Sequence, residues 1–291
     1  MLRSRSRLAL LAALLALGGV REAAAQRYSL QLRPRAGDTL RLKLEQTTEF
    51  EGTKGRDKPA NPGAKPDSVA QERTGLRVYT RIAVEATDLN GAEVTAITDS
   101  VRLTSSVAGG AALEAAARAA EGRRVRLHVA PDGATTVSPA EGPQASALRA
   151  MMTQMPATLP REPVEIGQSW VRTMEIPVAP PGDPAGSAAL SGTFRLDSVS
   201  RGGDSAYVSL TGRLARSASV PYLNQGSGRS RRNATVSTSG SITGSIVIDR
   251  TRGWIVDVRT SVVSRSLMQE SGGAAASARM WMKITQRVQV Y

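Results

Sequence analysis

The sequence contains no cysteine. No disulfide can staple the fold, so its stability has to come from a packed core. A bacterial lipid anchor, which needs a cysteine at the cleavage site, is excluded as well. Histidine occurs once, at His128, and transition-metal sites are built from His and Cys clusters, so a zinc centre is not expected. A hydrolytic triad would have to use His128, yet it sits in a segment, Arg124–Ala130, that reads as an ordinary strand. No Gly-x-Ser-x-Gly elbow occurs anywhere. No EF-hand-like spacing of acidic residues is present, and no glycine loop leads from a strand into a helix to hold phosphate. Aromatic residues make up 3% of the chain, too few to supply stacking platforms for nucleic acid. Lysine is confined to Lys43, Lys54, Lys58, Lys65 and Lys283, so the formal charge of +13 is carried by arginine. An Arg- and Ala-rich, Lys-poor composition is that of a GC-rich bacterial genome. The same positive balance would attract anionic lipid or polysaccharide.

Long apolar runs are scarce too. The longest, Leu8–Leu17, is half of the ~20 residues a membrane-spanning helix needs. It follows Arg3, Arg5 and Arg7 and precedes the small-residue site Ala23-Ala24-Ala25, the layout of a secretory leader. Residues 1–25 therefore read as a signal peptide. The n-region has no Arg-Arg pair, which favours the general secretory route over the twin-arginine one. The expected product is an exported protein starting at Gln26, periplasmic or extracellular, not lipid-anchored and not integral to the membrane.

What the remaining chain has in quantity is alternation. In Ala234–Ile248, serines and threonines at 235, 237, 239, 241, 243 and 245 alternate with Val236, Ile242, Ile246 and Ile248. A period of two is the mark of a strand with one buried face and one wet face. Trp254, Val258 and Val262 continue the pattern after the turn Asp249–Gly253, and Met280, Met282, Ile284, Val288 and Val290 after a second turn at Ser271–Ala275. Earlier, Tyr28–Pro34, Leu40 to about Phe50, Val69–Thr87 and Glu93–Val107 read as strands. So do Arg124–Ala130, Thr135–Ser138, Gly167–Val178, Ala188–Arg201 and Ser205–Arg216. Asp88-Leu-Asn-Gly91 and Pro131-Asp-Gly133 mark hairpins, the Asn-Gly pair being suited to positive φ angles. Glu51–Ser68 is rich in Gly, Pro, Lys and Asp and is expected to be a disordered loop. Ser217–Asn233 reads as a polar loop. Ala111–Glu121 and Pro143–Met155 read as two short helices.

Consecutive strands joined by short turns pair antiparallel. Strands of ~15 residues at ~3.3 Å each are far longer than usual and twist strongly, so the chain is expected to be mainly β: a long-stranded antiparallel meander curled into a half-barrel or barrel with two helices mid-chain. Residues 26–291 form a single β domain, with sub-halves at 26–163 and 164–291. A two-sheet sandwich is an alternative. An outer-membrane barrel fits less well, because Arg279, Lys283 and Arg287 share the phase of Tyr291 and would face lipid.

Three short motifs carry a resemblance. They are Tyr-x-Leu-x-Leu-x-Pro-x-x-Gly-Asp at Tyr28–Asp38, Val-x-Ile-Gly-x-Ser-Trp at Val164–Trp170, and Ile-x-Ile-Asp-x-x-x-Gly-Trp at Ile246–Trp254. In these the chain resembles uncharacterised exported bacterial β proteins that look like the lipoprotein-carrier superfamily. Members of that superfamily are half-barrels with helices over a concave apolar surface. The resemblance implies a role in holding acyl chains or lipid-modified partners and identifies no site residue.

Two sets of residues stand out as ligand-binding candidates. Leu148, Met151, Met152 and Met155 fall at i, i+3, i+4 and i+7 and would give the second helix an adaptable apolar face. Arg259, Arg265, Arg279, Lys283 and Arg287 share the wet phase of neighbouring strands and would form a basic stripe for anionic headgroups. Asp249 and Asp257 flank the Trp254 turn and are the one carboxylate pair placed for glycoside chemistry. Turn and wet-face roles explain them more simply. No catalytic constellation, cofactor or metal site emerges. The expectation is a non-enzymatic envelope protein that binds an apolar or amphipathic ligand, lipid or lipidated protein. The alternative is a structural or interaction module acting through its surface loops.

Overall fold

Chain neighbours with period-two alternation should lie side by side, and the computed structural model arranges them so. It describes residues 26–54, 70–106, 110–137, 158–177, 187–223, 231–270 and 278–291. The strands are β1 (Arg27–Tyr28), β2 (Thr39–Lys54), β3 (Ala70–Thr87), β4 (Ala92–Ser105), β5 (Arg124–Val129), β6 (Thr135–Val137), β7 (Val164–Glu165), β8 (Ser169–Pro177), β9 (Ser187–Val199), β10 (Ser205–Leu223), β11 (Arg231–Asp249), β12 (Trp254–Glu270) and β13 (Ala278–Val290). One helix, α1 (Gly110–Arg118), packs against β4.

Eleven strands form one antiparallel sheet in the order β6-β5-β4-β3-β2-β13-β12-β11-β10-β9-β8. The final three strands lie side by side as the alternation requires, with Val258 opposite both Ile246 and Val288. The two halves of the chain are joined by the β13–β2 pairing, which runs from Ala278↔Lys54 to Val290↔Leu42. β1 and β7 make a separate two-stranded ribbon.

The registers put the turns after Asp88, Ala130, Ser200 and Asp249 at one end of the sheet, here called the base. Buried apolar side chains gather there. One cluster contains Ile82 and Val84 of β3, Val94 of β4, Leu127 of β5, Phe194 of β9, Val208 of β10 and Ile248 of β11. Laid flat, eleven strands at ~4.8 Å spacing would span roughly 50 Å. Strands from both flanks cannot share a core across that width, so the sheet is rolled with its apolar face inside.

A strap formed by residues 158–164 bridges the two edges. The Thr158 and Leu159 amides both donate to the Asp132 carbonyl in the β5–β6 turn, each at 3.0 Å. From the other edge, Trp170 Nε1 of β8 donates to the Thr158 carbonyl and Arg172 of β8 to the Leu159 carbonyl, each at 2.8 Å. Leu159 itself is fully buried. The base is also clasped from outside by the segment after β1. The Leu32 amide donates to the Pro131 carbonyl and the Arg33 amide to the Gly253 carbonyl. Gly253 has φ +63°, and any Cβ there would collide with the Arg33 backbone.

Several expectations change. The sheet is not a closed barrel: β6 and β8 are unpaired edges, and the strap fills the gap between them. α1 is the single helix among the described residues, and the helix expected at 143–155 lies outside them. Of Tyr28–Pro34 only Arg27–Tyr28 is a strand, because the rest of the segment spends its backbone hydrogen bonds on the base turns. Within the expected loop at 51–68, residues 51–54 are strand, since β2 continues to Lys54 by pairing with Ala278 and Arg279, and residues 55–68 lie outside the described residues. Within the expected loop at 217–233, residues 217–223 and 231–233 are strand, because β10 and β11 pair there, and residues 224–230 lie outside the described residues. At the β3–β4 hairpin only Gly91 has positive φ, so the Asn-Gly pair does not act as a two-residue turn. Asp88 Oδ1 instead accepts from the Asn90 and Gly91 amides.

On the inner face, Arg172, Gly192, Gly212 and Ile242 form one row across β8 to β11. A Cβ at Gly212 would lie 2.7 Å from the Ser191 carbonyl oxygen and 2.8 Å from Ile242 Cγ2. Gly212→Ala is therefore expected to cost about 1–3 kcal/mol through overpacking, whereas Ser241→Ala on the exposed face of β11 should stay within about 0.5 kcal/mol. Urea unfolding midpoints of the two variants check this; equal midpoints would show that the row is not packed as described.

Candidate functional site

The inner face changes character away from the base. Leu42, Val258, Val262 and Val290 are partly buried and pack on the core. Beyond them, the same face of the central strands carries Leu44, Val288, Val78, Ile284, Met282, Met280, Phe50 and Leu76. These are half-buried and belong to no part of the core cluster. The registers gather them into two patches: Leu44 lies opposite Val288 and Val78, and Phe50 opposite Met282, with Gln46 opposite Gln286 and Thr48 opposite Ile284 between them. Towards β11 this band meets polar side chains. Ser264, opposite Met282, is 3% exposed. Ser266 lies opposite Met280 and shares a 2.8 Å hydrogen bond with Thr238 of β11. The inner wall thus carries apolar patches on β13, β2 and β3, interrupted by Gln46, Thr48 and Gln286, beside the hydroxyls of Thr238, Ser264 and Ser266 on β11 and β12.

The outer face of the same strands is a network of charge. Asp257 accepts from Arg259 at 3.1 Å and from Arg287 at 3.0 Å. Its hydrogen bond raises the Arg287 pKa further above the ordinary guanidinium value. On β2, Glu45 pairs with Lys43 of its own strand and with Arg77 of β3, both at 2.9 Å. All five residues of the expected basic stripe lie on this outer face, and they are not equivalent. Arg259 and Arg287 are tied to Asp257, and Lys283 lies opposite Glu49. Arg265 and Arg279, with Trp281 and Leu267, line an open depression of about 430 Å³ near the strand tips. The stripe and the apolar band are on opposite sides of one sheet. The Leu148, Met151, Met152 and Met155 face lies outside the described residues.

The other candidates have local roles. His128 Nδ1 lies 2.9 Å from Glu93 Oε1 directly across the β4–β5 pair. Asp249 Oδ1 caps its own turn by accepting from the Thr251 and Arg252 amides, and Asp257 holds two arginines. Both carboxylates are therefore engaged in structure. Among the described residues no group of three or more His, Asp or Glu could hold a metal ion. Arg172 is the one inward-facing cation of the β8 edge, and its Nε is buried without a hydrogen-bond partner.

The fold and site define a rolled, open antiparallel β-sheet protein with an amphipathic inner wall and a charged outer one. Residues 143–255 match a family of unknown function, DUF6263. That span reaches from before the strap to the start of β12. A Bacteroides fragilis protein, described as exported and as having a YmcC-like fold, is similar over 87% of this chain and 98% of its own, at 11% identity and a TM-score of 0.14. A similarity that loose carries no argument about role. No curated protein matches the sequence. Neither match speaks for the lipoprotein-carrier superfamily.

The charge network has a measurable signature. The Lys43 ammonium, hydrogen-bonded to Glu45, and then the Arg77 guanidinium hold the Glu45 carboxyl below its ordinary value against the opposing effect of desolvation. A depressed carboxyl stabilises the fold above its unfolded-state pKa, and that stabilisation is lost as pH falls through the folded-state value. Carbon-detected NMR titration should find Glu45 ionising below the other exposed glutamates, and Lys43→Met should move it upward. A Glu45 titration unchanged by Lys43→Met would show that the pair does not form in solution.

Proposed function

We propose that this is an exported, non-enzymatic protein of the bacterial envelope whose inner wall holds an apolar or amphipathic ligand, a lipid or a lipidated partner. The observation that carries the proposal is the pair of half-exposed apolar patches on the inner wall, Leu44, Val78 and Val288 nearer the base and Ile284, Met282, Met280 and Phe50 nearer the strand tips, separated by the polar row of Gln46 and Gln286, while the flanking strands bury their apolar residues. A folded chain rarely leaves such a band uncovered without a partner for it. From Met280 to Val288 the band runs roughly 27 Å at ~3.3 Å per residue. That exceeds the ~15 Å of one leaflet of a ~30 Å hydrocarbon core, so one extended acyl chain fits along it. Two of the side chains are methionines, whose flexibility suits chains of varied shape. The hydroxyls of Thr238, Ser264 and Ser266 beside the band would accept the polar part of an amphipathic molecule.

Export is supported by the leader-like pattern at Arg3–Ala25. No helix among the described residues is long and apolar enough to cross a membrane. The charged outer face of β2, β12 and β13 also argues against a lipid-facing wall. The resemblance to lipoprotein carriers agrees with the reading.

Binding of a fluorescent fatty acid, followed with native mass spectrometry of protein purified from a bacterial envelope, tests it. The wild type should carry or take up an acyl ligand. The double variant Ile284→Ser, Met282→Ser should bind about tenfold more weakly, since removing apolar contact area costs on the order of 1–2 kcal/mol. Circular dichroism checks that the variant keeps its sheet. A wild-type protein that is consistently ligand-free and takes up no fatty acid would overturn the proposal.

A further inference from the structure

The base of the molecule carries a second concave feature, separate from the apolar band. A cleft of about 500 Å³ opens between the segment after β1, the strap and the β11–β12 turn. This lies within the ~300–1,000 Å³ range of small-molecule sites. Three guanidiniums line it, those of Arg33, Arg161 and Arg250, together with Ser29 and Gln31.

The hydrogen bonding of these arginines is uneven. Arg161 pairs with the buried Asp132 carboxylate at 3.2 Å. Arg33 donates only to the Gln31 side-chain carbonyl, at 2.7 Å. Arg250 donates to the Ser29 and Gly203 backbone carbonyls and lies 5.3 Å over the Tyr28 ring. Among the described residues neither Arg33 nor Arg250 has a carboxylate partner. Three cations therefore line one space, the single carboxylate among their partners is the buried Asp132, and the hydrogen bonds of Arg33 and Arg250 go to neutral groups.

The backbones that carry these cations are tied down. The Arg33 amide is tied to the Gly253 carbonyl, and the Arg250 amide donates to the Asp204 carbonyl at 2.7 Å. Gln31 bridges the set: its Oε1 accepts from Arg33 while its Nε2 donates to the Arg161 carbonyl at 2.6 Å. Guanidinium forks gathered around a common space are the chemistry that recognises tetrahedral oxyanions, because each fork offers two parallel N–H groups to oxygens of the anion. A carboxylate holds its oxygens in one plane, whereas the oxygens of a phosphate ester are disposed tetrahedrally and can meet donors arriving from different sides.

We infer that the Arg33–Arg161–Arg250 cleft is a binding site for a phosphate ester. The ester is either a small soluble molecule or the headgroup of a phospholipid. The site is independent of the apolar band, and neither reading needs the other.

Thermal unfolding of the full chain in inorganic phosphate, against chloride at matched ionic strength, tests the inference. Phosphate should raise the unfolding midpoint of the wild type. Arg33→Gln, which removes an exposed side chain with one hydrogen bond, should weaken the phosphate affinity about tenfold, the effect of losing one charge-assisted contact. Arg279→Gln on the outer face should leave it unchanged. In the unmodified protein, phosphate should shift the Arg33 and Arg161 Nε–Hε NMR signals, a readout that does not depend on any variant folding. Co-sedimentation with vesicles of phosphatidylglycerol in phosphatidylcholine separates the sources. Arg33-dependent retention assigns a lipid headgroup, and phosphate binding without retention assigns a soluble ester. No stabilisation beyond chloride, the same phosphate affinity in Arg33→Gln, or unmoved arginine signals would each overturn the inference.

Discussion

The rolled sheet depends on the strap at residues 158–164. An open sheet of eleven strands has two free edges and one apolar face, and neither is stable in water unless covered. The strap meets both needs. Its backbone accepts from Trp170 and Arg172 on one edge and donates to the Asp132 carbonyl at the other. Its Leu159 side chain is buried between the flanks, and Val164 ends it by joining β1 in the second ribbon. Without those bonds nothing in the hydrogen-bond ladder holds β6 near β8. The core would then lose half its walls, since the buried residues of β3–β5 and of β9–β11 meet only because the edges do.

The three short motifs that stand out in the sequence turn out to serve this closure. Tyr28–Asp38 supplies the clasp over the base turns and the β1 strand. Val164–Trp170 supplies the end of the strap and the indole that anchors it. Ile246–Trp254 supplies Asp249, which caps its own turn, and Gly253, whose positive φ lets the Arg33 backbone approach. Their distance in sequence conceals that they touch. Arg250 lies over Tyr28, and β7 pairs with β1 across nearly half the chain.

This explains which features the sequence discloses. Alternation is local, so the strands, their antiparallel pairing and the opposition of Val258 to Ile246 follow from residues a few places apart. The two-faced character of β13 was equally legible, with Met280, Met282, Ile284 and Val288 in one phase and Arg279, Lys283 and Arg287 in the other. How far β10 and β11 extend was not legible, because Ser217–Asn233 has the composition of a loop, while Ser217–Leu223 and Arg231–Asn233 are held in strands by each other's backbone. Nor could sequence reveal that the sheet stays open, since closure depends on whether β6 and β8 meet. The arginine cleft lay beyond reach for the same reason: Arg33, Arg161 and Arg250 come from three different connections and share no periodicity.

The long strands pose a final physical problem. β10 and β11 extend roughly 60 Å at ~3.3 Å per residue, while the buried cluster occupies only their base ends. Ladder hydrogen bonds contribute about 0.5–1.5 kcal/mol each after water is counted, against ordering costs of ~1–2 kcal/mol per residue. Backbone pairing alone therefore does not hold the upper wall, and side chains must supply the difference. On the outer face that role falls to the ion pairs around Asp257 and Glu45, which link β12 to β13 and β2 to β3 on either side of the junction of the two halves. On the inner face the available contribution is burial of the apolar band, and it is only half realised. A ligand that covered Leu44, Ile284, Met282 and Phe50, as the proposed function has it, would supply the rest and would couple its binding to the rigidity of the upper wall through the same side chains.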